Sequence, residues 1–192
     1  MKLSISITIL FLNVYSIHGQ CLGNLITNGS FTSSVGEDVH ASGWNADSTP
    51  DVNDANGKLN TSSGYIWIDA PHPSHDGGTW QNLYSDREYL EQTIDLKVGE
   101  TYTLRFEYAA QGIEASSMRF ASPVGINLYI DGELVFKTPF DFTQYTWENV
   151  CYSFKAKKSS TTIRLSASSE QYVGLDGICL ILGDFCKNKA AP

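Results

Sequence analysis

The second half of the chain alternates apolar and polar residues over several short segments. In TYTLRFEYAA, Tyr102, Leu104, Phe106 and Tyr108 lie on one side of an extended chain, and the residues between them lie on the other. Apolar residues at every second position indicate a half-buried β-strand, because successive side chains point to opposite faces of a sheet. The segments VGINLYI, WENVCYSFKA, TTIRLSAS and LDGICLIL alternate in the same way and predict four more strands.

Two further features support an all-β fold. Asp131-Gly132 follows VGINLYI directly, and this dipeptide predicts a tight hairpin turn because both positions tolerate a positive φ. REYLEQTIDL places Leu90, Gln92 and Ile94 on one side, so we interpret it as a strand rather than a helix. Many short strands joined by turns, with almost no helical periodicity, predict a β-sandwich in a single domain.

Between residues 31 and 85 the alternation breaks down. This part is rich in Gly, Asn, Asp, Ser and Pro, and YIWIDA is the one clear strand in it. Gly, Asn, Asp, Ser and Pro are the residues of turns, and loops this long in a compact domain usually carry function. We therefore expect ligand-binding loops in this half of the chain.

The chain begins with the features of a secretory signal peptide. Lys2 precedes a mostly apolar run at residues 3–14, and polar residues and the small Gly19 follow. The apolar run is shorter than the roughly 20 residues that span a bilayer, and no second such run occurs. The sequence therefore predicts a signal peptide at residues 1–19, one domain at residues 20–192, and a secreted, extracellular protein without a membrane span.

The charge of the chain limits its partners. Lys and Arg number 13 and Asp and Glu number 21, which gives a net charge of −8. Nucleic acid would be repelled on average, whereas neutral ligands and divalent cations are compatible with this balance. Asn28 and Asn60 each begin an N-glycosylation tripeptide, which fits a secreted surface. No GxSxG, HExxH, GxGxxG or P-loop pattern is present, so we predict a non-catalytic protein.

The four cysteines are Cys21, Cys151, Cys179 and Cys186. An even number in a secreted chain predicts two disulfides, for which three pairings are possible. No two of these cysteines form a CxxC pair, which argues against a zinc cluster.

Six motifs occur in a distinctive order. NLITNGSF lies at residues 24–31, SGW at 42–44, TPD at 49–51 and GGTW at 77–80, and EYLEQTIDLKVGETYTLRFEYA and GLDGICL follow. In this order they resemble the motifs of galactose-binding-like jelly rolls, which include carbohydrate-binding module families 4 and 9 and related secreted domains. The resemblance covers essentially the whole mature chain. It implies a jelly-roll β-sandwich of two antiparallel sheets.

The resemblance also implies a structural calcium ion. In the family, a glutamate after the opening phenylalanine and the aspartate of the closing motif help to hold it. This chain has Thr32 at the first position and Asp176 at the second. Carboxylates supply most of the affinity for calcium, so the missing glutamate weakens the site. The candidate calcium site therefore consists of Asn28, Thr32 and Asp176.

The disulfide pairing also depends on the resemblance. In a jelly roll the first and last strands are neighbours, which favours Cys21–Cys179 with Cys151–Cys186. The pairing Cys21–Cys186 with Cys151–Cys179 is nearly as well supported.

The stretch PHPSHDGGTW at residues 71–80 contains three candidate ligand residues, His72, His75 and Asp76. These side chains are of the kinds that bind zinc or copper, but no third histidine lies nearby. We interpret the stretch as a loop between two strands that contacts a ligand, with metal binding and a plain solvated turn as the alternatives.

Aromatic and polar residues complete the candidate ligand site. Trp and Tyr offer flat faces to the C–H faces of sugars, together with an N–H or O–H donor. The resemblance implies a ligand either on a concave sheet face or among the loops at one rim. The candidate ligand-binding residues are Trp44, His72, His75, Asp76, Trp80, Tyr84, Tyr108, Gln111 and Arg119.

These observations predict a secreted, lectin-like carbohydrate-binding module whose partner is a glycan or a glycoprotein. Single-site affinity is expected to be modest, so several sites or an oligomer would supply avidity. The alternative is an extracellular adhesion or matrix protein that uses the sandwich as a scaffold for protein partners. An aromatic-lined groove with polar groups favours the glycan, and a large flat apolar patch favours a protein partner.

Overall fold

The computed structural model describes residues 21–36, 38–47, 49–53, 76–109, 124–139, 147–170 and 172–186. These residues form ten β-strands and no helix, which confirms the predicted all-β fold. The strands are β1 (Asn45–Asp47), β2 (Asp51–Asn53), β3 (Trp80–Tyr84), β4 (Tyr89–Asp95), β5 (Thr101–Ala109), β6 (Ile126–Ile130), β7 (Glu133–Lys137), β8 (Glu148–Lys155), β9 (Ser160–Ala167) and β10 (Tyr172–Leu182).

The strands form two five-stranded sheets that pack face to face. The first sheet has the order β1-β4-β9-β6-β7 and the second has the order β2-β3-β10-β5-β8. Every pair of neighbouring strands is antiparallel, so the predicted sandwich of two antiparallel sheets is confirmed. Within the described ranges there is no helix of the length and apolarity needed to cross a membrane.

The core lies between the sheets and follows the alternation read from the sequence. Leu104 and Phe106 of β5, Leu128 of β6, Leu165 of β9 and Leu175 of β10 are all at most 1% exposed. Burying one such side chain stabilises the fold by about 1.5–3 kcal/mol. The periodic residues of the strands therefore supply most of the core.

The β6–β7 hairpin has the predicted two-residue turn. Asp131 and Gly132 have φ values of 53° and 82°, which suit a turn that matches the right-handed twist of the strands. The turn is also tied to β9, because the Asp131 N–H donates to the Thr162 carbonyl at 2.8 Å and the Thr162 N–H donates to Asp131 Oδ1 at 3.0 Å.

Two buried glutamines hold the loop-rich half of the chain against the sheets. Gln92 accepts the Thr27 N–H at 2.7 Å and donates to the carbonyls of Thr27 and Gly43 at 3.0 and 2.8 Å. Gln81 donates to the carbonyls of Val39 and Asp51 at 2.9 and 2.8 Å. Each amide satisfies backbone groups that a loop cannot pair by itself.

The disulfides are Cys21–Cys179 and Cys151–Cys186, with Cα–Cα distances of 5.8 and 5.6 Å. This is the pairing that the jelly-roll order favours, and the other one is not formed. Cys179 on β10 and Cys151 on β8 both lie opposite Arg105 of β5 in the strand register, so the two bridges attach the segments at Cys21 and Cys186 to the strands on either side of β5.

The loop-rich half contains more strand than its sequence predicts. β3 lies in the interior of the second sheet although WQNLY lies where a loop is predicted. Trp80, Gln81, Asn82 and Leu83 are all buried, so both faces of β3 are covered and no apolar–polar alternation marks it. The strand predicted at YIWIDA lies outside the described residues.

Candidate ligand-binding face

The second sheet has a polar and aromatic face that points away from the core. In β3, Leu83 belongs to the core, so Trp80 and Asn82 point to the opposite face. In β10, Leu175 belongs to the core, and Gly174, which lies opposite Asn82, is on the outer face. We call this surface the Trp80 face; it comprises Asn53, Trp80, Asn82, Glu107, Ala109, Trp147, Gly174 and Asp176.

Two tryptophans meet over Gly174. The ring centroids of Trp80 and Trp147 are 5.6 Å apart at an interplanar angle of 81°, an edge-to-face arrangement that aromatic quadrupoles favour. A Cβ atom at residue 174 would lie 2.9 Å from Trp80 Cζ3 and 3.0 Å from Trp147 Cη2. Glycine at this position therefore lets both rings approach the sheet.

A bulge in β10 lies beside acidic side chains at one end of this face. The register of β10 shifts between Asp176 and Cys179, and Gly177 has a φ of 60°. A Cβ atom at Gly177 would lie 3.6 Å from both Asp76 Cβ and Glu107 Cγ, and Glu107 lies opposite Asp176. The bulge, a feature that often re-aims side chains near functional sites, thus lies beside Asp76 and Glu107, next to Asp176.

Several polar atoms of this region are buried without a hydrogen bond among the described residues. They are the amide nitrogen and oxygen of Asn53, the amide oxygen of Asn82 and Oδ2 of Asp76. Buried polar groups are almost always paired, and each unpaired one costs about 1–3 kcal/mol. Such atoms beside two indole rings fit a ligand that carries many hydroxyl groups.

The structure places Asp76, Trp80 and Tyr84, three of the predicted ligand residues, on or beside this face. Trp80 is fully buried, and Tyr84 is 38% exposed at the end of β3. The Tyr84 ring lies 4.8 Å from that of Tyr172, so the two tyrosines form the open rim of the face. His72, His75, Gln111 and Arg119 lie outside the described residues.

Trp44 and Tyr108 belong to the core between the sheets instead. Trp44 is 3% exposed, its ring lies 5.3 Å from that of Phe31, and its Nε1–H donates to the Asn28 carbonyl at 3.0 Å. Tyr108 points to the same side as Leu104 and is also buried. This placement speaks against ligand contact by either ring, because the core already covers both.

The predicted calcium ligands contain one carboxylate. Asn28 uses its carboxamide within its own turn, where Oδ1 accepts the Thr32 N–H at 2.9 Å and Nδ2 donates to the carbonyls of Thr32 and Ser42 at 3.2 and 3.0 Å. Asp176 is fully buried. Among the described residues no group of three or more His, Cys, Asp or Glu side chains could hold a metal ion. Calcium binding stays a prediction.

The same hydrogen bonds bear on glycosylation of Asn28. A glycan would be attached to Asn28 Nδ2, the atom that donates to the carbonyls of Thr32 and Ser42. Modification at this position stays a prediction, and Asn60 lies outside the described residues.

Sequence reasoning did not single out Asn53, Asn82, Glu107 or Trp147. The alternation in TYTLRFEYAA contains a signal for Glu107, because a residue between Phe106 and Tyr108 must point away from the core. Trp147 directly precedes the alternating strand β8. No comparable local signal marks the two asparagines, since β2 is short and β3 does not alternate.

An unusual carboxyl group lies at the Tyr84 end of the face. Glu88 accepts the Tyr84 N–H and meets the Thr49 hydroxyl at 3.0 Å. Burial raises the pKa of Glu88 to about 7, and the negative charges of Asp51 and Asp38 add to the rise. The two hydrogen bonds to Glu88 oppose this shift in pKa.

Glu88→Gln is expected to remove a pH dependence of stability. Because the folded pKa lies above the unfolded value of 4.5, the stabilising contribution of the protonated carboxyl is full below pH 4.5 and is lost as the pH rises through 7. Relative to Glu88→Gln, the wild type should lose about 1–2 kcal/mol between pH 5 and pH 8 after allowance for solvent screening. Urea unfolding at several pH values measures this difference. Glu148→Gln, at an exposed position, is the control, and equal pH profiles for wild type and Glu88→Gln would contradict the prediction.

No family model matches the sequence, and no curated protein matches it. Solved structures do share its fold. A cyclase from Fischerella sp. TAU is similar over 82% of this chain and 95% of its own, with 16% identity and a TM-score of 0.58.

Two other structures show the same likeness. The CBM22-1 xylan-binding domain of Xyn10C from Paenibacillus barcinonensis is similar over 85% of this chain and 97% of its own, with 10% identity and a TM-score of 0.52. The enzymatically active domain of tailspike protein 4 from bacteriophage CBA120 is similar over 85% of this chain and 22% of its own, with 12% identity and a TM-score of 0.50. The chain thus shares with these proteins the fold that the motifs imply, a sandwich of two antiparallel sheets.

Proposed function

We propose that this protein is a secreted carbohydrate-binding module that binds a glycan on the Trp80 face without catalysis. The observation that carries the proposal is the set of buried, unpaired polar atoms of Asn53, Asn82 and Asp76 on and beside the face that carries the indole rings of Trp80 and Trp147. A sugar ring offers hydroxyl groups to such amides and carboxylates, and apolar C–H groups to aromatic faces.

Tyr84 is the exposed residue at the rim of this face and is therefore the first that a glycan can contact. Trp80 and Trp147 are 0% and 8% exposed, whereas Tyr84 is 38% exposed. A glycan would therefore stack first on Tyr84 and Tyr172 and then reach the indole rings and the buried amides. Asp76 and Glu107, beside the bulge at Gly177, would accept hydrogen bonds from sugar hydroxyls at the other end.

The fold is compatible with a glycan ligand, but it does not distinguish binding from catalysis. A xylan-binding domain shares it, and so does a cyclase. Function belongs to the site rather than to the fold, so the absence of catalysis is part of the proposal. Incubation with the bound glycan, followed by chromatography, tests it; any new product would contradict it.

Secretion is the other part of the proposal. Residues 1–19 have the pattern of a signal peptide. All four cysteines form disulfides, and such bonds persist in oxidising extracellular compartments.

Trp147→Ala is expected to weaken glycan binding about tenfold or more, because buried tryptophans contribute a large share of the binding energy in recognition sites. A glycan array identifies the ligand, and calorimetry on the best glycan measures the change. Trp147→Phe, which keeps a ring, should lose less. Tyr129→Ala, in the first sheet, is the control and should bind like the wild type.

The array decides between the candidate functions. A blank array at high protein density would contradict glycan binding and leave the protein-binding scaffold as the better function. Repeating the array with a chelator tests calcium, since unchanged binding would exclude it from recognition.

A further inference from the structure

A groove lies between edge strands of the two sheets. β7 is the edge of the first sheet and β8 is the edge of the second, and a groove of about 390 Å³ lies between them. Its apolar lining consists of Ile130, Val135, Tyr152 and Phe154. A volume of this size is typical of small-molecule sites.

The aromatic part of this groove is held in place by other rings. Tyr152 lies 5.5 Å from Phe136 and 6.5 Å from Phe154, to which it is nearly parallel at 19°. Phe154 in turn lies 6.2 Å from Tyr102 in the core. Tyr152 and Phe154 are both only half-buried. The groove therefore presents ordered aromatic surface, which suits a flat apolar ring.

The rim of the groove is charged and carries more lysines than carboxylates. Lys157 Nζ lies 3.4 Å from Glu133 Oε2, and Lys158 Nζ lies 3.6 Å from Asp131 Oδ2. Lys155 also lines the groove, so three cations face two carboxylates in a chain whose net charge is −8. The rim of the groove is therefore net positive, whereas the protein as a whole is net negative.

Lys157 can exchange its carboxylate partner for a ligand at little cost. The side chains of Lys157 and Glu133 are 80% and 69% exposed, and ion pairs this exposed contribute little to stability. Asp131, by contrast, is bound to the Thr162 N–H at 3.0 Å, so it stays in place when Lys158 moves. An anion at the rim would gain charge-assisted hydrogen bonds from both lysines.

We propose that this groove binds a small organic anion that carries an aromatic or alicyclic ring. The ring lies against Tyr152 and Phe154, and the anionic group binds Lys157 and Lys158. The site is separate from the Trp80 face, because Tyr152 and Phe154 pack against the core between the sheets and the Trp80 face points away from it.

Naphthalene-2-sulfonate is the probe that tests this site. Saturation-transfer NMR on the full chain should show binding, and naphthalene-2-methanol, which has the ring without the charge, should bind about tenfold more weakly. The double variant Lys157→Ala/Lys158→Ala should weaken sulfonate binding about tenfold. Lys137→Ala, at an exposed position of β7 outside the groove, is the matched control and should bind like the wild type.

The aromatic lining is tested separately. Tyr152→Leu keeps an apolar side chain and should weaken binding of both probes, whereas Tyr129→Leu should change neither. Absence of sulfonate binding at millimolar concentration would overturn the proposal. Equal affinity for the two probes, or unchanged sulfonate binding by the lysine double variant, would do the same.

Discussion

Gly174→Ala is expected to weaken glycan binding about a hundredfold and to destabilise the fold by about 1–3 kcal/mol. The new methyl group would lie 2.9 Å from Trp80 Cζ3 and 3.0 Å from Trp147 Cη2. Both rings must then move off the sheet, away from their present position over Gly174. One methyl group thus displaces the central part of the Trp80 face.

Calorimetry with the best array glycan and urea unfolding measure these two effects. Gly36→Ala is the stability control, because a Cβ atom there meets only the side-chain atom Val39 Cγ2, at 3.1 Å. Gly132→Ala, in the β6–β7 turn, is a control for binding alone, because its φ of 82° strains alanine there. The double variant Gly174→Ala/Trp147→Phe should recover part of the lost stability, since the smaller ring relieves one of the two contacts. Wild-type affinity in Gly174→Ala would show that the tryptophans do not contact the glycan.

Gly29→Ala is expected to reduce the free energy of unfolding by more than about 3 kcal/mol, beyond the usual range for overpacking. A Cβ atom at residue 29 would lie 2.0 Å from the Ile178 carbonyl oxygen. The obstacle is backbone, so a change of side-chain rotamer cannot relieve it. The hydrogen bond from the Ile178 N–H to the Gly29 carbonyl, at 2.9 Å, must lengthen or break.

The Gly29→Ala substitution should also perturb the Trp80 face. Asn24 bonds to Ile178 and Leu180 at 2.9 and 2.8 Å, so this N-terminal segment supports the β10 bulge at Gly177. Urea unfolding measures the stability, and hydrogen exchange of the Ile178 amide reports the bulge. Gly36→Ala is the matched control, because its nearest neighbour is the side-chain atom Val39 Cγ2 at 3.1 Å. A loss no larger than that of Gly36→Ala would contradict the prediction.

The alternating segments were predictable because the pattern that identifies each strand lies within a few consecutive residues. The strands β4, β5, β6, β8 and β9 each have one face toward the core, so a period of two in the sequence is enough to identify them. The Asp131-Gly132 hairpin was predictable for the same reason, since two adjacent residues determine the turn. The buried Gln92 lies in the motif EYLEQ, yet its bonds to Thr27 and Gly43 became visible only in the folded chain.

The two tryptophans of the loop-rich half show what the local sequence could not predict. Trp44 and Trp80 both lie in sequence without alternation, and both were predicted to contact ligand. Trp44 packs on Phe31 in the core, and Trp80 packs on Trp147 on the outer face. The difference depends on contacts between residues far apart along the chain, which no local pattern contains.

The sequence by itself determined the all-β class, most of the strands, the hairpin and the number of disulfides, because periodicity, turn chemistry and cysteine count are properties of short segments. The tertiary structure alone decided which side chains share the Trp80 face and which line the groove between β7 and β8. Asn53, Asn82, Glu107 and Trp147 come from β2, β3, β5 and the start of β8, and strand order and register bring them together. Pairing between distant strands is set by the packing of the whole sandwich, so the site exists only once the two sheets have formed.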